Sequence, residues 1–330
     1  MNAPRGGGGE GATSLAHDEA GAAQPREGST LHYALLWSDA APRARFLDRL
    51  ALLHTLATTL DDVHDPGVAE RKVHWWHEEL ERLSLGRSRH PRTLACQESL
   101  AGLTEASAHC LEVLSVAATT RYTPALDDAE RRARLVRDHG ARLALLAHAL
   151  SGDSNELTDP AVRHPELAFG LGLREALARL PALLHRGYTV FSEEDYERHG
   201  LTPATLARHV RRHPAASPTD AGTDGAAPPS ALEAIPVVTE SPARRAIVET
   251  NVATARHALD AAIADERYRA CYARAALAPL ARLVALRAHE LRLWQERAPD
   301  LLRERTTPTP LAKLYVAWRH RRGARRSRVH

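Results

Sequence analysis

In the stretch TLDDVHDP, Thr59 to Pro66, three carboxylates fall within five positions: Asp61, Asp62 and Asp65. The apolar spacing upstream puts them at the C-terminal end of a helix, where the macrodipole disfavours negative charge. A cluster there is out of place unless a cation neutralises it, and hard cations take oxygen ligands. At one position a second reading competes. Asp65 followed by Pro66 also has the form of an N-cap with proline at the first helical position.

His74, His77, Glu78 and Glu79 in HWWHEEL form another tempting set. Their order is not the His-Glu-x-x-His helix of zinc hydrolases, and a chain with 19 histidines produces chance pairs. Chance pairing is the simpler reading, with Trp75 and Trp76 as packing anchors rather than a ligand platform. Cys96, Cys110 and Cys271 are odd in number and far apart, so they make neither a disulfide framework nor a zinc motif and suit a reducing compartment. The sequence holds no Gly-rich phosphate loop, Ser-His-Asp order or dinucleotide fingerprint.

The elements that must position these groups are helical. Leu and Ala dominate the 330 residues and aromatics make up 5%. Phe46, Leu47, Leu50, Leu53, Leu56 and Leu60 form one stripe, and Val73, Trp76, Leu80 and Leu83 another. Leu173, Leu177, Leu180 and Leu184 make a third, and further stripes cover 125–151, 245–263, 267–296 and 308–319. They amount to about nine or ten helices with short connections, an all-α bundle or barrel. Residues 1–28, rich in Gly, Ala and Glu, are expected to be a disordered tail. Residues 29–320 read as one domain, with a flexible Pro/Ser/Gly-rich insertion at 213–242.

Basic and acidic residues number 44 and 41, a net charge of +3, so no global field calls for a polyanion. Residues 321–330 form a basic tail, and six arginines fall between Arg319 and Arg328. They read either as a solvated end or as a weak contact with an anionic membrane surface. Without interleaved aromatics, nucleic acid is not the expected partner. The sequence shows neither a signal peptide nor a run long enough to span a membrane, which predicts a cytoplasmic protein, at most peripheral to the inner membrane face.

Three stretches resemble the squalene/phytoene synthases. They are KVHWWHEELERLSLGRSRHP (Lys72 to Pro91), HRGYTVFSEEDYERHGL (His185 to Leu201) and TPLAKLYVAWR (Thr309 to Arg319), in the family's order and spacing. TTRYTPAL, Thr119 to Leu126, adds a weaker match, and TLDDVHDP resembles the family's first Asp-Asp-x-x-Asp motif. The resemblance implies an isoprenoid-synthase-like barrel of helices around an apolar cavity. It also implies an activity, the head-to-head joining of two prenyl diphosphates with Mg2+. On this reading Asp61, Asp62 and Asp65 would be metal ligands, and Arg121, Tyr122 and Arg186 would contact the diphosphate.

The departures fall at the chemistry. Counting back from Gly187, the family's second pair of aspartates stands at Arg179 and Leu183, within GLGLREALARLPALLHRGY. Neither side chain can coordinate magnesium. A further carboxylate the family often carries falls near Val116. This pattern is similar to a divergent branch without the second aspartate motif, which includes a mitochondrial factor assisting respiratory complex I assembly. Two functions stay open: a Mg-dependent prenyltransferase, or a catalytically silent member acting as a lipid-binding or assembly factor.

Overall fold

The computed structural model describes residues 25–122, 126–212, 241–297, 301–302 and 307–326. Most of the expected tail at 1–28, nearly all of the insertion at 213–242 and the last residues of the basic tail lie outside the described residues. The apolar stripes are helices, ending where proline, glycine or aspartate interrupts them. In chain order they are α1 (Thr30–Leu35), α2 (Ala40–Ala57), α3 (Pro66–Ser84), α4 (Pro91–Leu100) and α5 (Thr104–Tyr122). Then come α6 (Asp128–Ser151), α7 (Pro165–Ala178), α8 (Leu180–His185), α9 (Glu193–Arg198) and α10 (Pro203–Arg212). The chain closes with α11 (Pro242–Ala264), α12 (Glu266–Tyr272), α13 (Ala278–Arg297) and α14 (Pro310–Arg326).

The described residues thus hold fourteen α-helices and no strand, against an expectation of about nine or ten. The excess comes from punctuation. Proline sits in the first turn of α3, α4, α7, α8 and α11, where its missing N–H costs nothing. Pro181 splits the Leu173–Leu184 stripe into α7 and α8, and the 267–296 stripe breaks at a short 3₁₀ turn, Ala275–Leu277.

One continuous apolar cluster runs from Leu31 of α1 to Trp294 of α13 and on to Leu302. The C-terminal half of α6, from Asp138 to Leu150, is buried almost all round, which marks it as the central helix. It packs against α2, α5 and α7, and α7 in turn packs on α11. That last contact is close: a Cβ at Gly170 would lie 2.7 Å from Leu259 Cδ2 and 3.0 Å from the Ala255 carbonyl oxygen.

Buried charges lock the helices to one another. Arg49 of α2 donates to the Leu145 carbonyl at 2.8 Å and lies 2.5 Å from His148 Nδ1, both on α6. Arg174 of α7 pairs with Glu290 of α13 at 2.5 Å. Glu79, from the set that invited a metal reading, is fully buried instead. It accepts from the Arg89 and His90 amides at 2.8 and 2.9 Å and from Thr93 Oγ1 at 2.5 Å, fixing the turn into α4. Burial opposes its charge, yet these donors hold its carboxyl down at about 2. Trp76 is buried, with its indole N–H on Thr59 Oγ1 at 2.7 Å, whereas Trp75 is exposed.

Candidate binding site

After α2 ends at Ala57 the chain turns twice, with the Asp61 amide on the Thr58 carbonyl at 3.0 Å and the Val63 amide on Leu60 at 3.1 Å. The three aspartates therefore lie beyond the helix, and they separate. Asp65 is the N-cap of α3, its Oδ1 accepting from the Val68 amide at 2.8 Å. Asp62 points outward, its side chain 92% exposed, with a loose Arg186 contact at 3.7 Å. Asp61 alone points inward and is buried.

The second half of the site comes from the α7–α8 junction. Arg179 is the C-cap of α7, Pro181 starts α8, and Gly187 takes φ +82, a left-handed turn that glycine adopts without strain. This route folds Arg179, Arg186 and Tyr188 onto one carboxylate. Arg186 Nη1 lies 2.7 Å and Arg179 Nη2 3.3 Å from Asp61 Oδ2, and Tyr188 OH donates to Oδ1 at 3.2 Å. Two guanidiniums and a phenol thus occupy both oxygens of Asp61.

These residues do not fit a magnesium cluster. The ion needs several oxygens converging at about 2 Å in octahedral array. Here one carboxylate is enclosed by cations, one caps a helix, one faces outward, and the facing helix offers Arg179 and Leu183. Among the described residues one tighter set of ligand-type atoms exists, Glu156, Asp159 and Cys271, within 4.8 Å of one another. Arg274 already fills it, 2.8 Å from Glu156 Oε1 and 2.7 Å from Cys271 Sγ.

Behind Asp61 lies a cavity of about 170 Å³, walled by α5, α6, α7 and the segment from Tyr188 to Phe191. A second chamber of about 160 Å³ lies between α1, α2, α6, α7 and α13. His139, Arg142, Glu175 and Arg179 belong to both walls. His139 Nε2 lies 3.4 Å from Glu175, His139 Nδ1 3.1 Å from Asp138, and Arg142 2.9 Å from Asp138. Burial works against the charges of Asp138, His139, Arg142 and Glu175, but their partners outweigh it. The carboxyls of Asp138 and Glu175 are held below their usual range, and the His139 imidazole is pushed up. Gly172 makes room for it, since a Cβ there would lie 2.9 Å from His139 Nδ1.

Arg134 completes the first chamber. It donates to Thr120 Oγ1 at 3.4 Å and forms no ion pair with a carboxylate among the described residues. Burial lowers its pKa, the mark of a charge that has given up water without full recompense. Such a cation facing a partly apolar cavity is suited to hold an anion.

No protein-family model matches the chain, and no curated protein sequence does either. Among solved structures, a dehydrosqualene synthase in complex with a ligand is similar, with a TM-score of 0.61 over 90% of this chain and 92% of that one. The fold is isoprenoid-synthase-like. At 10% identity the likeness carries the architecture and not the chemistry.

Of the residues singled out from sequence, Asp61 and Arg186 meet, Asp62 and Asp65 stand apart, and the side chains of Arg121 and Tyr122 lie outside the described residues. Val116 lines the cavity. Sequence reasoning passed over Tyr188, Arg134, Asp138, His139, Arg142 and Glu175. A signal existed: Arg134, Asp138 and Arg142 recur every four residues inside an apolar stripe, and so do Glu175 and Arg179. Charges in step with a core face point into a cavity rather than out to solvent.

Proposed function

We propose that this chain is a catalytically silent member of the isoprenoid-synthase fold, holding an anionic isoprenoid-type lipid without ionising it. One observation carries the reading: Asp61, the buried carboxylate that would hold a metal, is neutralised by Arg179 and Arg186 at 3.3 and 2.7 Å. Cleaving a prenyl diphosphate requires heavy neutralisation of its leaving group, which divalent cations supply. A guanidinium spent on Asp61 cannot serve the diphosphate as well. The charged partition supports the same reading, because it separates two chambers that a condensation would need to join so that two prenyl chains could meet.

The ligand proposed is a prenyl phosphate or a comparable amphiphile, with its anionic group towards Arg134 and its apolar part against Val113, Leu135 and Phe191. The test uses purified protein with radiolabelled farnesyl and geranylgeranyl diphosphates, with magnesium or with EDTA. Saturable binding that EDTA leaves unchanged, with no condensed lipid on extraction, is expected. Robust magnesium-dependent turnover, abolished by Asp61→Ala, would overturn the proposal in favour of a prenyltransferase.

A further inference from the structure

The last helix is amphipathic with its faces reversed. On α14, Lys313 is only 7% exposed and Ala317 fully buried, while Leu311 is 79% and Tyr315 59% exposed. Leu314 and Trp318 are exposed as well. The buried ammonium of Lys313 is satisfied by the Gly28 carbonyl at 3.0 Å, which anchors the inner face to the segment preceding α1. Leu311, Leu314, Tyr315 and Trp318 stand at i, i+3, i+4 and i+7, so the four large apolar side chains share one outer face. A helix packed only to complete a core would turn these inward and its lysine outward.

The register of that face continues into charge. Counting from Leu311, positions i+11, i+14 and i+15 are Arg322, Arg325 and Arg326, and the backbone is helical through Arg326. At 3.6 residues per turn these positions follow the apolar four along the same side. The helix carries no Asp or Glu anywhere between Pro310 and Arg326. Two apolar turns with Tyr and Trp, then two basic turns, match an element that lies in a membrane interface. The aromatics suit the headgroup level and the arginines suit lipid phosphates.

We propose that this face of α14 docks on an anionic lipid bilayer. A second copy of the chain fits less well, because α14 offers no carboxylate to meet the partner's arginines. The site also lies where a lipid-handling protein would use it. α14 packs on α1 and α13, and Leu31, Leu280 and Leu283 of those helices line the second chamber. Among the described residues no helix is long and apolar enough to cross a membrane, so the contact proposed is peripheral. It does not depend on what the cavity binds.

The experiment is sedimentation of the full chain with vesicles of phosphatidylcholine alone or with about one third phosphatidylglycerol. At least tenfold tighter binding to the anionic vesicles is expected, weakening as salt is raised, since surface charge is screened within about 10 Å at 0.1 M salt. Leu311→Ser with Tyr315→Ser, at exposed positions, should weaken binding tenfold or more without lowering Tm. Arg322→Gln with Arg325→Gln and Arg326→Gln should do the same and remove the salt dependence. Brominated lipid should quench fluorescence in the parent and less so in Trp318→Phe. Failure to sediment with anionic vesicles overturns the proposal, as does sedimentation indifferent to both sets of substitutions. A dimer that the Leu311/Tyr315 pair dissociates, without vesicle binding, would assign the face to self-association instead.

Discussion

Arg179 and Asp61 are 118 positions apart in sequence and meet at 3.3 Å, a guanidinium standing on the buried carboxylate that the sequence resemblance casts as a metal ligand. The pair makes Asp61 a structural residue. Asp61→Asn would take from Arg179 and Arg186, both largely buried, the carboxylate they share. Breaking a buried pair from one side costs about 3 kcal/mol, somewhat less here because both arginines keep partial access to water. Urea unfolding of the variant should show a loss of about 2 kcal/mol; unchanged stability would contradict the structural role.

Restoring the missing carboxylates should restore cation binding. In Arg179→Asp with Leu183→Asp, two acids join Asp61 at the α7–α8 junction, and their repulsion lowers stability until a cation arrives. Magnesium at about ten times its Kd should then raise Tm by roughly 3 °C. The parent protein should shift by less than about 1 °C, because Asp61 is already neutralised and magnesium sheds its water reluctantly. Differential scanning calorimetry with and without the ion decides, and an equal shift in both proteins would refute the argument.

The architecture was legible because it rests on periodicity. Leu53, Leu56, Leu80, Leu83, Leu173 and Leu177 fall in step and all are buried. Helix number was underread because short helices such as α9 and α12 begin at side-chain caps, Ser192 and Asp265, whose effect is local. The site was legible by half. The substitutions at 179 and 183 can be counted from Gly187, but the fate of Asp61 depends on a left-handed Gly187 that swings Arg186 and Tyr188 back, a matter of three dimensions. The Asp65-Pro66 cap was open in the sequence, and the Val68 amide at 2.8 Å resolves it.

His148 predicts a pH dependence with a definite sign. Burial, then the nearby Arg49 and Arg45, push its imidazole down to about 4. The unfolded chain titrates near 6.5, so between these values it binds the extra proton and the folded state does not. Stability from this group is full above about pH 6.5 and is lost as pH falls towards 4, by at most about 3 kcal/mol. The raised His139 acts in the opposite sense, losing stability as pH rises through its folded value. His148→Gln retains an acceptor for Arg49 and removes the titration, so its stability should fall less steeply between pH 6.5 and 4. Parallel curves for variant and parent would count against it.

Close packing at α7 and α11 allows a sharper test of the fold. Gly170→Ala would set a methyl 2.7 Å from Leu259 Cδ2 and 3.0 Å from a backbone oxygen that cannot rotate away. Overpacking of this kind costs about 1–3 kcal/mol, against a gain of up to about 1 kcal/mol for replacing a mid-helix glycine. A net loss is expected in chemical denaturation, and Gly170→Ala with Leu259→Ala should recover part of the packing term. A Gly170→Ala protein more stable than its parent would mean that the two helices can part at little cost.

Arg134 distinguishes a binding cavity from a merely polar one. It has yielded hydration to the chamber and receives only a 3.4 Å contact with Thr120 in return. A ligand phosphate would supply the missing partner through a charge-assisted hydrogen bond, worth about 1.5–3 kcal/mol, or roughly ten- to a hundredfold in affinity. Arg134→Leu should therefore weaken binding of a non-hydrolysable prenyl thiolodiphosphate by that factor while leaving Tm equal or slightly higher, since an unmatched charge is removed. Arg134→Lys should fall between the two, because an ammonium cannot bind bidentately. The neutral prenyl alcohol should bind both variants and parent alike. Titration calorimetry measures all six ligand–protein pairings; a Kd for the thiolodiphosphate within twofold of the parent's would remove Arg134 from the site and leave the cavity without an anion receptor of its own.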